Sequence, residues 1–312
     1  MIKIYLSIVT FVLISTHCLC QVYPDNNCKI GNSSTDISKN LTLKDINFEE
    51  PEILNAVLKS NKLIDADINT PVRYIDKIII NRVSLKSTKD LQYFTNLKTL
   101  ILNKTNIYCI DLSNNKKLTD IQLPDNNLNK IDLSNNKELI GLNLAENKFT
   151  NIDLSENKLI EQLVITKNQF QNINLNALEN LIGLDISFNQ LVDLDIKSNL
   201  KLTYLNVQEN NIEKIELSNN TNLTSINFLN NRLLEIDLSN NIMLSNILLA
   251  NNLITKITLP NCEVEDVILS NNKIENISIP KKLTFRSFWI QSNPLSIKTI
   301  KYLKKFENIS TD

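Results

Sequence analysis

Glycine is almost missing from this chain, with three in 312 residues, so no glycine-rich loop is available to cradle a phosphate. Histidine occurs once, as His17, inside an apolar N-terminal stretch. Beyond that stretch there is none, which removes Ser-His and Cys-His nucleophiles and the usual zinc ligand sets. Charge of one sign is also lacking: 33 basic residues face 34 acidic ones. That balance gives no support to nucleic acid or an anionic membrane as partner. One long apolar run exists, Ile4 to Ile14, and it is too short to span a bilayer.

What the chain has in abundance is asparagine, leucine and isoleucine in a recurring phrase. Lys117 to Lys137 reads KLTDIQLPDNNLNKIDLSNNK, and the next residues begin it again. Asparagine marks the same slot at Asn126, Asn147, Asn168, Asn189, Asn210, Asn231, Asn252, Asn272 and Asn293, every 21 residues apart from one step of 20. Thr105 and Val83 hold that slot earlier in the chain. Ile121 and Leu123 alternate as a strand with one buried face requires. Asn126 falls where the chain turns inward, and its amide can satisfy turn backbone of its own coil and the next. Such a period predicts a right-handed, mostly β leucine-rich-repeat solenoid, with a parallel concave sheet of about ten turns stabilised by stacking.

The other half of each turn is also regular. Ile110-Asp-Leu112, Ile131-Asp-Leu133, Ile152-Asp-Leu154, Ile215-Glu-Leu217 and Ile236-Asp-Leu238 alternate in and out. A second asparagine follows at Asn115, Asn136, Asn157, Asn199, Asn220 and Asn241. Strand-like segments are therefore expected on the convex side, giving a shallow arc that advances about 4.8 Å per turn. With so few glycines, the turns are expected to rely on asparagine, which tolerates the left-handed region.

Residues 1–20 read as a secretory signal: Lys3, the apolar run, then Cys18-Leu-Cys20, with cleavage before Gln21. The mature chain keeps Cys28, Cys109 and Cys262. Cys109 and Cys262 lie seven turns apart and cannot meet within one molecule, so no disulfide framework is implied. Residues 21–46 read as a flexible polar leader. Residues 47–74 read as an N-terminal cap whose helix starts near Pro51 and buries Ile53, Leu54, Val57 and Leu58. Asp65, Asp67 and Asn69 resemble part of a calcium loop, but its glycine and terminal glutamate are missing, and a plain polar loop is expected. The repeats run over residues 75–295. Residues 296–312 form a C-terminal cap carrying Ile297, Ile300, Tyr302, Leu303 and Phe306.

FEEPEILNAVLKS, then KDLQYFTNLKTLIL, then the repeated ID-LSNN-x-x-L resemble secreted leucine-rich-repeat proteins of bacterial surfaces. The likeness is to the short-repeat kind common in Bacteroidetes and, at greater distance, to internalins, and it covers residues 47 to 306. It implies a secreted or cell-surface interaction module. The family's calcium-loop sequence is eroded here and its sorting tail is not seen. In an exported eukaryotic chain, Asn32, Asn40 and Asn222 would sit in glycosylation sequons.

For chemistry, the row Asp111, Asp132, Asp153, Asp195 and Asp237 invites a paired-carboxylate or calcium reading. Like charges about 5 Å apart prefer water, so a solvated outer face is expected, and neither enzyme activity nor a cofactor. The residue between the second and third apolar positions points out from the concave sheet. That row reads Ile79, Ile101, Gln122, Asn143, Val164, Asp185, Asn206, Asn227, Leu248, Ile268 and Trp289. Its C-terminal end is apolar, with Leu229 beside it, and an apolar patch facing solvent wants a partner. A protein partner is expected at Leu248, Ile268, Leu229 and Trp289, with the polar middle at Tyr204 and Asn206 as the fallback. For Trp289 the alternative, slightly favoured, is that the C-terminal segment folds back over it as part of the cap. A glycan is the alternative ligand, and the protein is expected to be a monomer.

Overall fold

The computed structural model describes residues 41–63 and 65–311; the expected signal and the expected leader up to residue 40 lie outside them. Each turn contributes a short strand: β1 Lys77–Asn81, β2 Thr99–Asn103, β3 Asp120–Gln122, β4 Gly141–Asn143, β5 Gln162–Val164, β6 Gly183–Asp185, β7 Tyr204–Asn206 and β8 Ser225–Asn227. β9 Glu235–Asp237 follows, then β10 Asn246–Leu248, β11 Lys256–Thr258, β12 Glu263–Ile268, β13 Thr284–Trp289 and β14 Ile309–Ser310. Twelve of these form one parallel sheet in chain order, leaving out β9 and β11, which pair with each other on the convex side. The strands are short because one residue, Ile121 or Leu142 for example, drops into the core while its two neighbours face out.

The core is a stack of leucine, isoleucine and phenylalanine columns. Phe149, Phe170 and Phe228 are fully buried alongside Leu118, Leu139, Leu181 and Leu202. Burying each such side chain is worth about 1.5–3 kcal/mol, and a single coil closes over too few of them to stand alone.

The marker asparagines hold the coils together. Asn147 donates through Nδ2 to the carbonyls of Leu123, Leu144 and Ala145 at 2.9, 3.1 and 3.1 Å. Its Oδ1 accepts from the Leu128 N–H at 2.9 Å. The amide thus ties its own coil to the preceding one, not to the next. The left-handed turn is not made by these asparagines either. Positive φ falls one residue earlier, at Arg82, Lys104, Asp125, Glu146, Lys167, Phe188 and Glu209, then Asn230, Asn251, Asn271 and Ser292. The ladder amide over-determines that turn, so residues of any kind are held in it.

The second row, Asn115 to Asn241, is fully buried, and Asn136 donates to the carbonyls of Leu112 and Asn115 at 3.1 and 2.9 Å. Leu178 interrupts it. Convex strands are fewer than the alternation implies, with only β9 and β11 qualifying among the described residues. The acidic row makes turns on this side. The Asp132 Oδ1 accepts from the Ser134 N–H at 3.0 Å, and Asp111, Asp153, Asp195 and Asp237 do the same two residues on. At Asp111, Asp132, Asp153 and Asp195 this bond turns the chain where no strand forms, whereas Asp237 makes it at the end of β9 and still pairs with Thr258.

Helix α1, Pro51–Ser60, caps the first coil and buries Ile53, Ala56, Val57 and Leu58. The Ile79 N–H donates to Ser60 Oγ, and Asn61 Nδ2 donates to the Lys77 carbonyl, which satisfies the edge of β1. The cap begins earlier than residue 47, because Leu43 and Ile46 are buried and Thr42 bridges Pro71. Asp65–Asn69 forms a 3-10 turn. At the other end α2, Ile297–Leu303, buries Thr299 and Leu303, while Ile297 is exposed. β14 then adds a last strand beside β13, which the amphipathic pattern alone did not announce. Cys109 is disulfide-bonded and Cys262 carries a free thiol, so the expectation of no disulfide is corrected. Counting turns excludes a Cys109–Cys262 pair and constrains the other cysteines not at all.

Candidate functional site: the concave face

Strand pairing puts the outward row in unbroken register. Ile79 pairs Ile101, Gln122 pairs Asn143, Val164 pairs Asp185, Asn206 pairs Asn227, and Leu248 pairs Ile268, which pairs Trp289. Leu248, Ile268 and Trp289 are therefore side by side on three successive strands. Leu229 lies one row over, after Asn227, half-buried, with its N–H donating to Asn227 Oδ1 at 3.1 Å. Tyr204 and Asn206 sit on β7, two strands from Leu248. Trp289 is not covered by the C-terminal segment. Its partner on β14 is Ser310, too small to lie over an indole, and 49% of the tryptophan stays exposed.

The middle of the face is a hydrogen-bonded network. Asp185 Oδ1 accepts from the Ser187 N–H and Oγ–H at 3.0 and 2.6 Å, and its Oδ2 accepts from Asn206 Nδ2 at 3.1 Å. The Gln208 N–H donates to Asn206 Oδ1 at 3.2 Å, and Asn227 Nδ2 donates to Gln208 Oε1 at 3.1 Å. Burial first, and then the Asp185 carboxylate, push the Tyr204 phenol above its ordinary range, while its bond to Asn206 opposes them. Near the apolar end, Asp266 accepts from Ser287 Oγ and from Arg286, each at 2.6 Å, and both hold its carboxyl below the usual range.

Two glycines on this face, Gly141 and Gly183, were not singled out by the repeat pattern. Neither has positive φ, so the backbone does not demand them. A Cβ on Gly183 would come within 2.2 Å of Gln162 Oε1. The sequence signal was there: they are two of three glycines in the chain, both at strand starts.

On the convex side, a shallow groove of about 640 Å³ crosses four coils and mixes Asp193, Asp195, Glu216 and Glu235 with Lys197, Lys214 and Lys256. The acidic row that borders it is committed to its turns. Among the described residues no group of three or more His, Cys, Asp or Glu side chains could hold a metal ion. None of their helices is long and apolar enough to cross a membrane.

No protein-family model matches the chain, and no curated protein resembles it in sequence. Among solved structures, a Listeria monocytogenes internalin is 19% identical with TM-score 0.58, covering 89% of this chain and 99% of that one. The leucine-rich effector protein YopM from Yersinia pestis is 18% identical with TM-score 0.61, covering 78% and 65%. A chain of the LRIM1/APL1C complex is 17% identical with TM-score 0.57, covering 76% and 55%. The fold is thus a leucine-rich-repeat solenoid.

Proposed function

We propose that this chain is an exported, non-enzymatic protein-binding module that docks a protein partner on its concave sheet, in adhesion or host interaction. The observation that carries the reading is the apolar run Leu248–Ile268–Trp289, in register on an open face and ending in a half-exposed tryptophan. Tryptophan is a favoured interface anchor, and an aligned apolar row on a solvent-facing sheet is costly unless covered. The LRIM1/APL1C structure, a complex by its own description, supplies a protein of this fold engaged with a partner. Export rests on the signal-like residues 1–20, with Lys3 and the Ile4–Ile14 run.

A glycan-binding reading is disfavoured by the placement of the aromatics. Tyr204 on β7 and Trp289 on β13 are four strands apart, about 19 Å at the usual strand spacing, with no ring lined up between them. The test is capture by the mature protein from partner-cell lysate, with and without deglycosylation, set against Leu248→Ser/Ile268→Ser. The double variant should lose the captured protein while its melt stays unchanged. Normal capture by that variant would remove the apolar row as the interface, and loss on deglycosylation would revive the glycan reading.

A further inference from the structure

We infer that the centre of the concave face is a receptor for a cationic side chain of the partner, arginine in preference to lysine, seated over Gly183 between Gln162, Asp185 and Tyr204. The inference rests on the protein-binding reading for the source of that side chain and adds its chemistry.

Three electron-rich groups converge there. Gln162, Gly183 and Tyr204 are direct neighbours on β5, β6 and β7. The Gln162 amide oxygen lies over Gly183, in space that a Cβ would fill, and it accepts no hydrogen bond within the described residues. Asp185 is two residues along β6 on the same face. The Tyr204 ring, 41% exposed, closes the third side. A glycine inside a strand gives up packing, and where the backbone does not require it, it marks a place of close approach.

The charge pattern selects the ligand. In the two rows that run through Asp120 and Gln122, the charged side chains are Lys77, Asp120, Asp185 and Asp266. Lys77 lies on β1, five strands from Asp185. Asp266 is answered by Arg286. Asp185 meets neutral donors alone, three of them, which fix both its oxygens and leave it without a counter-ion among the described residues. A fixed carboxylate beside an aromatic face and an amide oxygen that accepts nothing is a set of acceptors with no cation of its own. It suits a guanidinium, which stacks flat on a ring and directs several N–H groups in one plane. Lysine, a compact and strongly hydrated charge, would use the carboxylate but not the plane.

The probe is a blocked Gly-Arg-Gly peptide, titrated into the isotopically labelled mature chain and followed by NMR. Saturable shifts should centre on Gly183, Asp185 and Tyr204, be weaker with the lysine peptide, and vanish with the neutral citrulline peptide. Asp185→Asn should weaken the arginine peptide by about tenfold or more, the scale of a lost charge-assisted contact. Gly183→Ala keeps every charge and should weaken it as well, by moving Gln162, with an unchanged melt as the control for folding. Equal shifts from the citrulline peptide, no saturable shift, or an unaffected Asp185→Asn would each overturn the inference. The peptide needs no partner, so failure here leaves the Leu248/Ile268 interface standing, and failure of that interface leaves this result intact.

Discussion

The Asn168 side chain donates through Nδ2 to the Leu144 carbonyl in the preceding coil at 3.0 Å, while the Phe149 N–H donates back to its Oδ1 at 3.0 Å. The same Nδ2 reaches the carbonyls of Ile165 and Thr166, both at 3.2 Å. One amide thereby serves four backbone groups in two coils. Asn168→Leu should lose more than about 3 kcal/mol, because each buried backbone group left unpaired costs roughly 1–3 kcal/mol. Asp132→Ala removes one turn bond on an exposed side chain and should cost about 1 kcal/mol or less. Denaturant melts of the two variants would separate them, and equal losses would mean that the interior has been misplaced.

Phe188 occupies the left-handed turn with φ of 54° and is 43% exposed. A non-glycine residue pays about 1–2 kcal/mol there, which asparagine partly recovers through local hydrogen bonds. Phe188→Asn should therefore raise stability by up to about 1 kcal/mol in urea unfolding. A clear loss would show that the ring is held by contacts worth more than the strain.

The repeat, the marker ladder and the outward row were all legible in the sequence, because each is a period and a period needs no tertiary knowledge. Three of the features that were not have a plain physical reason. Which neighbour an asparagine grips depends on the direction in which the coil winds, and Asn168 grips Leu144 behind it. The sparse convex sheet was obscured because Ile-Asp-Leu alternates like a strand, although Asp-x-Ser also spells a turn, as in Asp132 and Ser134. Gly183 is rare in composition but interrupts no pattern: its slot varies freely from Asp120 to Tyr204, and the position of the Gln162 side chain is what gives the missing Cβ its meaning.

The turn-forming carboxylates tie stability to acid pH. Ser134 holds the Asp132 carboxyl below the usual range, and Ser155 and Ser239 do so for Asp153 and Asp237. A folded-state pKa below the unfolded one contributes stability that is present above the unfolded value, near 3.9, and is lost as pH falls through the folded value. The melting temperature should therefore fall as pH drops below about 4. Asn174 makes the same turn bond, to the Asn176 N–H, without titrating. A triple Asp→Asn variant at these positions should consequently fold and show a flatter acid limb. An identical limb would assign acid sensitivity to other groups.

Calcium at millimolar concentration should leave the melting temperature unchanged. The loop from Asp65 to Asn69 lacks the glycine and bidentate glutamate of a calcium loop and winds as a short 3-10 turn. Differential scanning calorimetry with and without calcium would decide, since a ligand of the native state must raise the midpoint. A rise would reveal a site built from other ligands.

Trp289 is the single tryptophan of the chain, and it lies beside Ile268 at the apolar end of the concave row. That makes its fluorescence a direct report on the proposed interface. With half its surface exposed, its emission in the free protein should be red-shifted and readily quenched by acrylamide. Docking of the partner should bury the indole, shift the emission to the blue and protect it from the quencher. Because Ser310 rather than a bulky side chain is its neighbour on β14, Trp289→Ala removes little core packing. It should therefore weaken partner binding by at least about 2 kcal/mol, as an aromatic anchor does, while moving the melt by much less. Were the variant to lose stability and keep its affinity, Trp289 would belong to the cap, and the interface would end at Ile268.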